Sequence, residues 1–359
     1  MAAKNNLGEI GEIVEIILRF LPGRYISIAS QVCHLWRETV ERIRRSRRKC
    51  AVYLSPSGSN FSEFSKDALD FIRQQRIEPR ALLLFTGLLP SSSTSFIKKF
   101  LQSVRNCLPV NCPLIGCTGV GVIGSDASNL GQPREMENSL GLSLMMFPRC
   151  DGLEIRDFYV PLRNKYKQIS GIESFLPDMN LPVKLVVVLA HPLSLGRLTN
   201  LTLALRSKYG DDVVIVGGYS DSFLFYNSEV TTREIIGLVL AGNLNSSSAI
   251  ITGGTRVESL ENLHDSIKRL HNSDVPKENS FSLMFPCFSR GSMTYGYENA
   301  ECLAFSDTFP MTPLVGFFGT AAFGCDREKL KTKGLKPGGR DFLHVDATVL
   351  CLTSLAPVQ

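Results

Sequence analysis

The chain has 359 residues, of which 44% are hydrophobic and 20% are charged, and these values are typical of folded chains rather than disordered ones. Its length predicts two domains, or one large domain with an appendage. The formal net charge of +5 is carried by residues 37–49, which hold seven basic and two acidic side chains, so the rest of the chain is neutral. A neutral body argues against a direct nucleic-acid partner, which would need a broad basic surface.

The spacing of the cysteine and histidine residues predicts no metal site. None of the ten cysteines forms a Cys-x-x-Cys pair, and the five histidines give no His-Glu-x-x-His motif. No apolar run approaches the roughly 20 residues that span a bilayer, so we expect no membrane partner.

The first fifty residues predict two or three short helices. Apolar residues recur at helical spacing over 10–21, Pro22-Gly23 ends this pattern, and a second one runs over 28–43. These helices carry more apolar surface than they can bury among themselves. Two explanations stay open: a partner protein covers the surplus, or the helices pack against the rest of the chain.

The same segment resembles an F-box, through Ile17-Leu18-Arg19-Phe20-Leu21-Pro22 and Val32-Cys33-His34-Leu35-Trp36-Arg37. Glu9-Ile10 stands where that motif usually has Leu-Pro. The resemblance implies docking onto the Skp adaptor, and through it onto a cullin scaffold and a RING subunit. By their position in the motif, the residues implied for the adaptor face or the helical core behind it are Ile13, Ile17, Leu21, Pro22, Ile28, Val32 and Trp36.

The basic run Arg44-Arg45-Ser46-Arg47-Arg48-Lys49 follows the second helical pattern. It has the composition of a nuclear import signal. It equally suits a solvated helix end, where cations complement the helix dipole, and this second interpretation is favoured.

A three-unit pattern fills the rest of the chain. Residues 113–126 and 313–326 align without a gap and share Pro, Leu, three Gly and Asp, and 214–218 is a looser third copy. Each copy follows an apolar run and a helix-length segment, and another strand-like run comes after it. The first runs are 81–85, 184–189 and 281–285, the helix-length segments are 95–108, 197–209 and 299–309, and the later runs are 140–147, 235–241 and 345–352.

This pattern predicts the fold class. We expect an α+β, or mixed α/β, protein with a small helical N-terminal unit and a large mixed-sheet body of repeated strand-helix-strand-strand units. The alternative is that the similarity among the three copies is accidental. The glycines between 116 and 124 lack the following helix of a dinucleotide fingerprint, so they predict tight strand connections and no nucleotide cofactor. A loop is expected over 329–340.

One cysteine is a candidate for chemistry. Cys287 follows a strand-like run, Arg290 could lower the pKa of its thiol, and His191 could act as a base. The alternative is a buried structural cysteine, because cysteine is among the most buried residue types and no third catalytic group is identifiable.

Four motifs together resemble the FIST domain, a sensory α/β module with N- and C-terminal parts. They are Ile115-Gly116-Cys117-Thr118, Val216-Gly217-Gly218, Cys287-x-x-Arg290-Gly291 and Gly316-Phe317-Phe318-Gly319. The resemblance spans most of residues 50–355 and directs attention to a candidate pocket made of Cys287, Arg290, Gly291, Phe318 and Ala322. Ala321-Ala322 stands where the family usually carries a Gly-Glu pair.

An F-box over 1–49 and a FIST region over 50–359, with parts at about 50–180 and 181–359, resemble a substrate receptor of an SCF ubiquitin ligase complex. This resemblance implies a non-catalytic subunit of the ubiquitin conjugation pathway, in cytoplasm and nucleus. Its FIST region would recruit protein substrates for protein ubiquitination and proteasomal degradation. The alternatives are a small-molecule sensor and a Cys287-dependent enzyme.

Overall fold

The structure of the protein, a computed structural model, describes residues 11–56, 60–89, 94–161, 169–232, 234–334 and 342–355. It opens with a helical unit made of α1 (Gly11–Phe20), α2 (Gly23–Ala29) and α3 (His34–Ser46). Pro22 separates α1 from α2, as the sequence predicts. The unit has a small core of its own, formed by Val14, Leu18, Ile26, Ala29, Val40 and Ile43.

The rest of the chain repeats one order of elements three times, beginning each time with a strand and a helix. Unit 1 consists of β1 (Ala51–Leu54), α4 (Phe61–Gln74), β2 (Pro79–Thr86), α5 (Thr94–Cys107), β3 (Leu114–Thr118), β4 (Gly121–Asp126), β5 (Asn129–Met136) and β6 (Leu142–Pro148). Unit 2 consists of β7 (Leu153–Val160), α6 (Ile169–Glu173), β8 (Val183–Ala190), α7 (Leu195–Tyr209), β9 (Val214–Tyr219), β10 (Leu224–Tyr226), β11 (Glu229–Thr231) and β12 (Ile235–Gly242). Unit 3 consists of β13 (Leu244–Thr252), α8 (Arg256–His271), β14 (Ser280–Pro286), α9 (Ser292–Tyr295), α10 (Ala300–Thr308), β15 (Leu314–Phe318), β16 (Ala322–Gly324), α11 (Arg327–Thr332), β17 (Leu343–His344) and β18 (Ala347–Leu355).

The three units exchange hairpins in a ring. The strand orders of the three six-stranded sheets are β1-β6-β2-β3-β10-β11, β7-β12-β8-β9-β16-β17 and β13-β18-β14-β15-β4-β5. Each unit therefore supplies four strands to its own sheet and a hairpin to a neighbour's sheet. The pairs β2–β3, β8–β9 and β14–β15 are parallel, and the other pairs are antiparallel. The predicted fold class and the predicted repetition are both confirmed.

Hydrogen bonds link the three units where they meet. The Val120 N–H donates to the Phe318 carbonyl oxygen, and the Thr320 N–H donates to the Tyr219 carbonyl oxygen, each at 2.9 Å. The third link joins unit 2 to unit 1, where the Ser220 hydroxyl donates to the Thr118 carbonyl oxygen at 2.5 Å.

The repeated glycines have a common physical cause. Gly116, Gly217 and Gly316 sit on β3, β9 and β15 at equivalent positions beside the first strand of each parallel pair. A Cβ atom at any of the three would lie 1.7 Å from a carbonyl oxygen of the neighbouring strand. Glycine is therefore required here because the two strands approach closely. The sequence predicts a different reason, namely tight connections between strands.

The main core lies where the inner faces of the three sheets meet, and helices cover the outer faces. Aromatic rings from different units pack there, with Phe85 stacked on Phe317 at 5.2 Å between ring centroids. The continuous apolar strands predicted from the sequence are thus buried on both faces. No helix within the described residues is long and apolar enough to cross a membrane.

One expected loop is wrong in its first half. Residues 327–332 form α11, whose first turn is capped by the Asp326 side chain, which accepts from the Lys329 N–H at 2.8 Å. Residues 335–340 of the expected loop lie outside the described residues. The domain boundaries at residue 49 and near residue 180 stay predictions.

Candidate functional site

The helical unit presents an apolar face to solvent. On α1, Val14 and Leu18 point into the unit's core, which turns Ile16, Ile17 and Phe20 outward. These three side chains are 49–68% exposed. Ile28 and Val32, at the end of α2 and in the following turn, are 63% and 62% exposed. We call Ile16, Ile17, Phe20, Ile28 and Val32 the apolar face.

The predicted adaptor residues fall into two groups in the structure. Ile17, Ile28 and Val32 lie on the apolar face, whereas Ile13, Leu21, Pro22 and Trp36 are half-buried. Leu21 and Trp36 pack against the small helical core. Ile16 and Phe20 belong to the face but were not among the predicted residues. The role of the seven predicted residues in adaptor docking stays a prediction.

The helical unit also contacts the body, through a different side. The Gly23 N–H donates to the Gln75 carbonyl oxygen at 2.8 Å. The Arg44 guanidinium lies 2.9 Å from the Glu78 carboxylate and 2.5 Å from that of Glu41. The explanation that the helices pack against the rest of the chain is therefore partly realised, whereas the apolar face stays exposed among the described residues. Its coverage by a partner protein stays a prediction.

The basic run is a junction between the helical unit and the body. The Arg47 guanidinium donates to the Arg19 carbonyl oxygen at the end of α1, at 2.8 Å, and to the Arg76 carbonyl oxygen in unit 1. Burial, with Arg76 and Arg19 nearby, lowers the pKa of Arg47 to about 10. Arg44 and Arg47 are thus bound within the fold rather than solvated at a helix end.

The candidate pocket residues meet at one turn of unit 3 and are all buried. Cys287 pairs with Gly319 in a short parallel bridge, and its thiol donates to the Thr320 carbonyl oxygen at 3.3 Å. Phe318 and Ala322 flank this stretch, and both side chains are at most 3% exposed. The turn continues through Arg290 and Gly291. The side chain of Cys287 itself is 0% exposed. A ligand-binding role for these residues stays a prediction.

The Arg290 guanidinium is engaged away from the Cys287 thiol. It lies 3.1 Å from the Glu301 carboxylate, and both side chains are almost fully buried. The Tyr295 hydroxyl and the Thr348 hydroxyl donate to the same carboxylate at 2.8 and 2.7 Å. Burial alone would lower the pKa of Arg290, but Glu301 and Tyr295 outweigh it and the pKa is raised. The guanidinium therefore stabilises a buried polar cluster.

Two carboxylates that sequence reasoning missed join unit 1 to unit 3. Glu135 on β5 accepts from the Cys302 N–H of α10 at 2.7 Å. Burial, with Glu301 close by, raises the pKa of Glu135 to about 8. Glu137 accepts from the Ser292 N–H and from the Ser292 hydroxyl, each at 2.8 Å. These contacts join segments more than 150 residues apart, so no local sequence signal marks them.

The described part of the chain holds no group of three or more His, Cys, Asp or Glu side chains arranged to bind a metal ion.

Comparisons with known proteins bear on both parts of the molecule. Residues 81–259 match the FIST N domain family. F-box only protein 22 from Homo sapiens and that from Pongo abelii are each 25% identical to the chain over 348 residues, covering 89% of the chain and 86% of the relative.

Two solved structures are similar at a lower level. One is described as a cyanuric acid hydrolase formed by structural concatenation, and the other is the cyanuric acid hydrolase from A. caulinodans. Identity is 9% and 10%, coverage is 86% of this chain and 99% of the other, and the TM-score is 0.41 in both cases. At that TM-score the likeness carries no argument about function.

The chain thus combines a helical N-terminal unit with a body that matches the FIST N domain over residues 81–259. Its similarity over most of its length supports the FIST-containing F-box protein 22 family.

Proposed function

We propose that the chain is the substrate-recognition subunit of an SCF-type E3 ubiquitin ligase. The observation that carries this proposal is the apolar face, because five large apolar side chains left exposed on one small helical unit are typical of a protein interaction site. Similarity to F-box only protein 22 supports the Skp adaptor as its partner. The adaptor would in turn connect the chain to a cullin scaffold and a RING subunit.

The body would recruit protein substrates for ubiquitination and proteasomal degradation in cytoplasm and nucleus. Such a receptor needs no catalytic residue, because it supplies only the proximity and orientation of the target. The buried Cys287 thiol and the engaged Arg290 guanidinium favour this function over a Cys287-dependent enzyme. A small-molecule sensor remains the second candidate, and the FIST match is the observation that favours it.

Trapping of targets tests the proposal. The double variant Ile17→Asp, Ile28→Asp places charges on exposed positions of the apolar face, so we expect it to fold and to lose the adaptor. Affinity purification from cells should then recover target proteins in larger amounts with this variant than with the wild type. Those targets should also live longer and carry less ubiquitin in cells that express the variant.

The matched control is Val110→Asp, which changes an apolar residue that is 90% exposed on the body. This variant should bind the adaptor and recover target proteins in the same amounts as the wild type. If the proteins recovered with the double variant keep the same half-lives and ubiquitination as with the wild type, the proposed function is wrong.

A further inference from the structure

A cavity on unit 3 shares no lining residue with the apolar face or with the candidate pocket around Cys287. It has a volume of about 420 Å³, is open on one side, and is lined by residues of α8, α11, β13 and β17 and of the segments that flank α11. This volume lies within the range of small-molecule sites, roughly 300–1,000 Å³. Apolar side chains line part of it, among them Ile250, Leu330 and Leu343.

The α8 wall of the cavity is held in place by hydrogen bonds. Asn262, Ser266 and Arg269 follow one another at helical spacing and share one face of α8. The Ser266 hydroxyl donates to the Ile250 carbonyl oxygen at 2.9 Å and accepts from the Arg269 guanidinium at 2.9 Å. The polar groups of this wall are therefore preorganised before any ligand binds.

Asp326 is the carboxylate that the described residues contribute to the cavity lining, and it is already occupied. Asp326 accepts from Arg269 at 2.9 Å, from the Ile250 N–H at 3.1 Å and from the Lys329 N–H at 2.8 Å. Its negative charge is thus matched by Arg269 and two backbone donors. The Nε atom of Arg269 is buried and has no hydrogen-bond partner among the described residues.

The α11 wall adds two positive charges that this carboxylate does not neutralise. Lys329 on α11 and Lys333, the residue that caps its C-terminal end, line the cavity and are four residues apart, a spacing that brings like charges close together. In the described part of the chain, no carboxylate lies within ion-pair distance of either amino group. Lys331, between them in sequence, points elsewhere and pairs with Asp274.

We propose that this cavity binds a small organic anion. Its carboxylate or phosphate group would lie between Lys329, Lys333 and Arg269, and a short apolar portion would pack against Leu330 and Leu343. The anion relieves the repulsion between the two lysines, and the apolar wall selects against a fully hydrated inorganic ion. This site does not depend on adaptor docking, because it lies on a different unit of the chain.

Calorimetric titration of the full-length protein tests the proposal, with butyrate, butyl phosphate and butylammonium as probes at constant ionic strength. We expect saturable binding of at least one of the two anions and none of the cation, and the better anion identifies the headgroup. The proposal is overturned if neither anion binds saturably or if butylammonium binds as tightly.

Variants locate the binding to this cavity. The double variant Lys329→Gln, Lys333→Gln should bind the better anion at least tenfold more weakly than the wild type. Lys331→Gln, on the same helix, should change the affinity for this anion less than twofold. All three lysines are exposed, so we expect these variants to keep the melting temperature of the wild type. Unchanged affinity in the double variant, or equal weakening in Lys331→Gln, would overturn the assignment.

Discussion

Replacing Ile28 by Ala on the apolar face should weaken binding of the Skp adaptor about tenfold. Ile28 is 63% exposed in the free chain, so most of its side chain becomes newly buried if the face docks. Burial contributes about 0.8 kcal/mol per methylene, and the substitution removes about three carbon atoms, which gives a loss of about 1.5 kcal/mol at this exposure. A loss of about 1.4 kcal/mol corresponds to tenfold in affinity.

A second substitution on the same face should add to the first. Ile17 is 49% exposed, so Ile17→Ala should cost about 1.2 kcal/mol by the same reasoning. If the two losses are additive, the double variant should bind about a hundredfold more weakly. Isothermal titration calorimetry with the purified adaptor measures all three affinities.

Stability measurements separate docking from folding. Since Ile28 is mostly exposed, Ile28→Ala should change the free energy of unfolding by less than about 0.5 kcal/mol. Leu18→Ala, inside the helical core, should destabilise that unit by about 2–5 kcal/mol. Val110→Ala is the matched exposed control and should leave the adaptor affinity unchanged. Wild-type affinity in the Ile17, Ile28 double variant would refute docking through this face.

Three further predictions concern the body. Cys287 should react with iodoacetamide much more slowly than the exposed Cys33 in the native protein and equally fast after denaturation, because its thiol is buried; equal native rates would contradict this. Burial and the neighbouring Glu301 raise the pKa of Glu135 from 4.5 to about 8, so protonation of Glu135 stabilises the folded state at low pH. The free energy of unfolding should therefore fall by about 2–4 kcal/mol as the pH rises from about 5 to 8. In Glu135→Gln, urea midpoints at pH 5.5 and 8.5 should differ less than in the wild type, and an unchanged difference would refute the pKa assignment. Gly116→Ala should destabilise the protein by about 3 kcal/mol in chemical denaturation, because the new Cβ atom would lie 1.7 Å from a carbonyl oxygen. The control Gly131→Ala, whose Cβ atom would have its nearest neighbour at 3.5 Å, should cost less than about 1 kcal/mol. Similar losses of stability in the two variants would contradict the steric reason.

The sequence carries most of the local information about this fold. Apolar runs such as 184–189 become buried strands, and the Pro22-Gly23 break separates two helices, because both features depend on neighbouring residues. The shared glycines at 116 and 316 revealed the repetition. Their cause, contact with the neighbouring strand, depends on the assembled sheet.

The hairpin exchange could not be read from local patterns. β4 and β5 lie beside β3 in sequence but pair in the sheet of unit 3, and this choice depends on how the three units close the ring. The contact between Glu135 and α10 follows from that exchange. A local signal for α11 was present in Asp326 as an N-cap, but the surrounding lysines and glycines favoured a loop.

At both candidate sites the sequence motif located the segment but not the orientation of its side chains. The resemblance to an F-box marked the segment that carries the apolar face, but only the packing of α1 against α3 decides that Leu18 is buried and Ile17 is exposed. Around Cys287, the motif gathered residues that do meet in space. It could not reveal that Arg290 turns to Glu301 instead of the thiol.

The most direct test of the proposed docking onto the Skp adaptor is to mix the full-length chain with the purified adaptor. Size-exclusion chromatography with light scattering then measures the mass of the complex. The wild type should form an equimolar complex, and the Ile17→Asp, Ile28→Asp variant should elute as the free chain. If the wild type elutes free under conditions in which an established F-box protein binds the adaptor, the proposed function is contradicted.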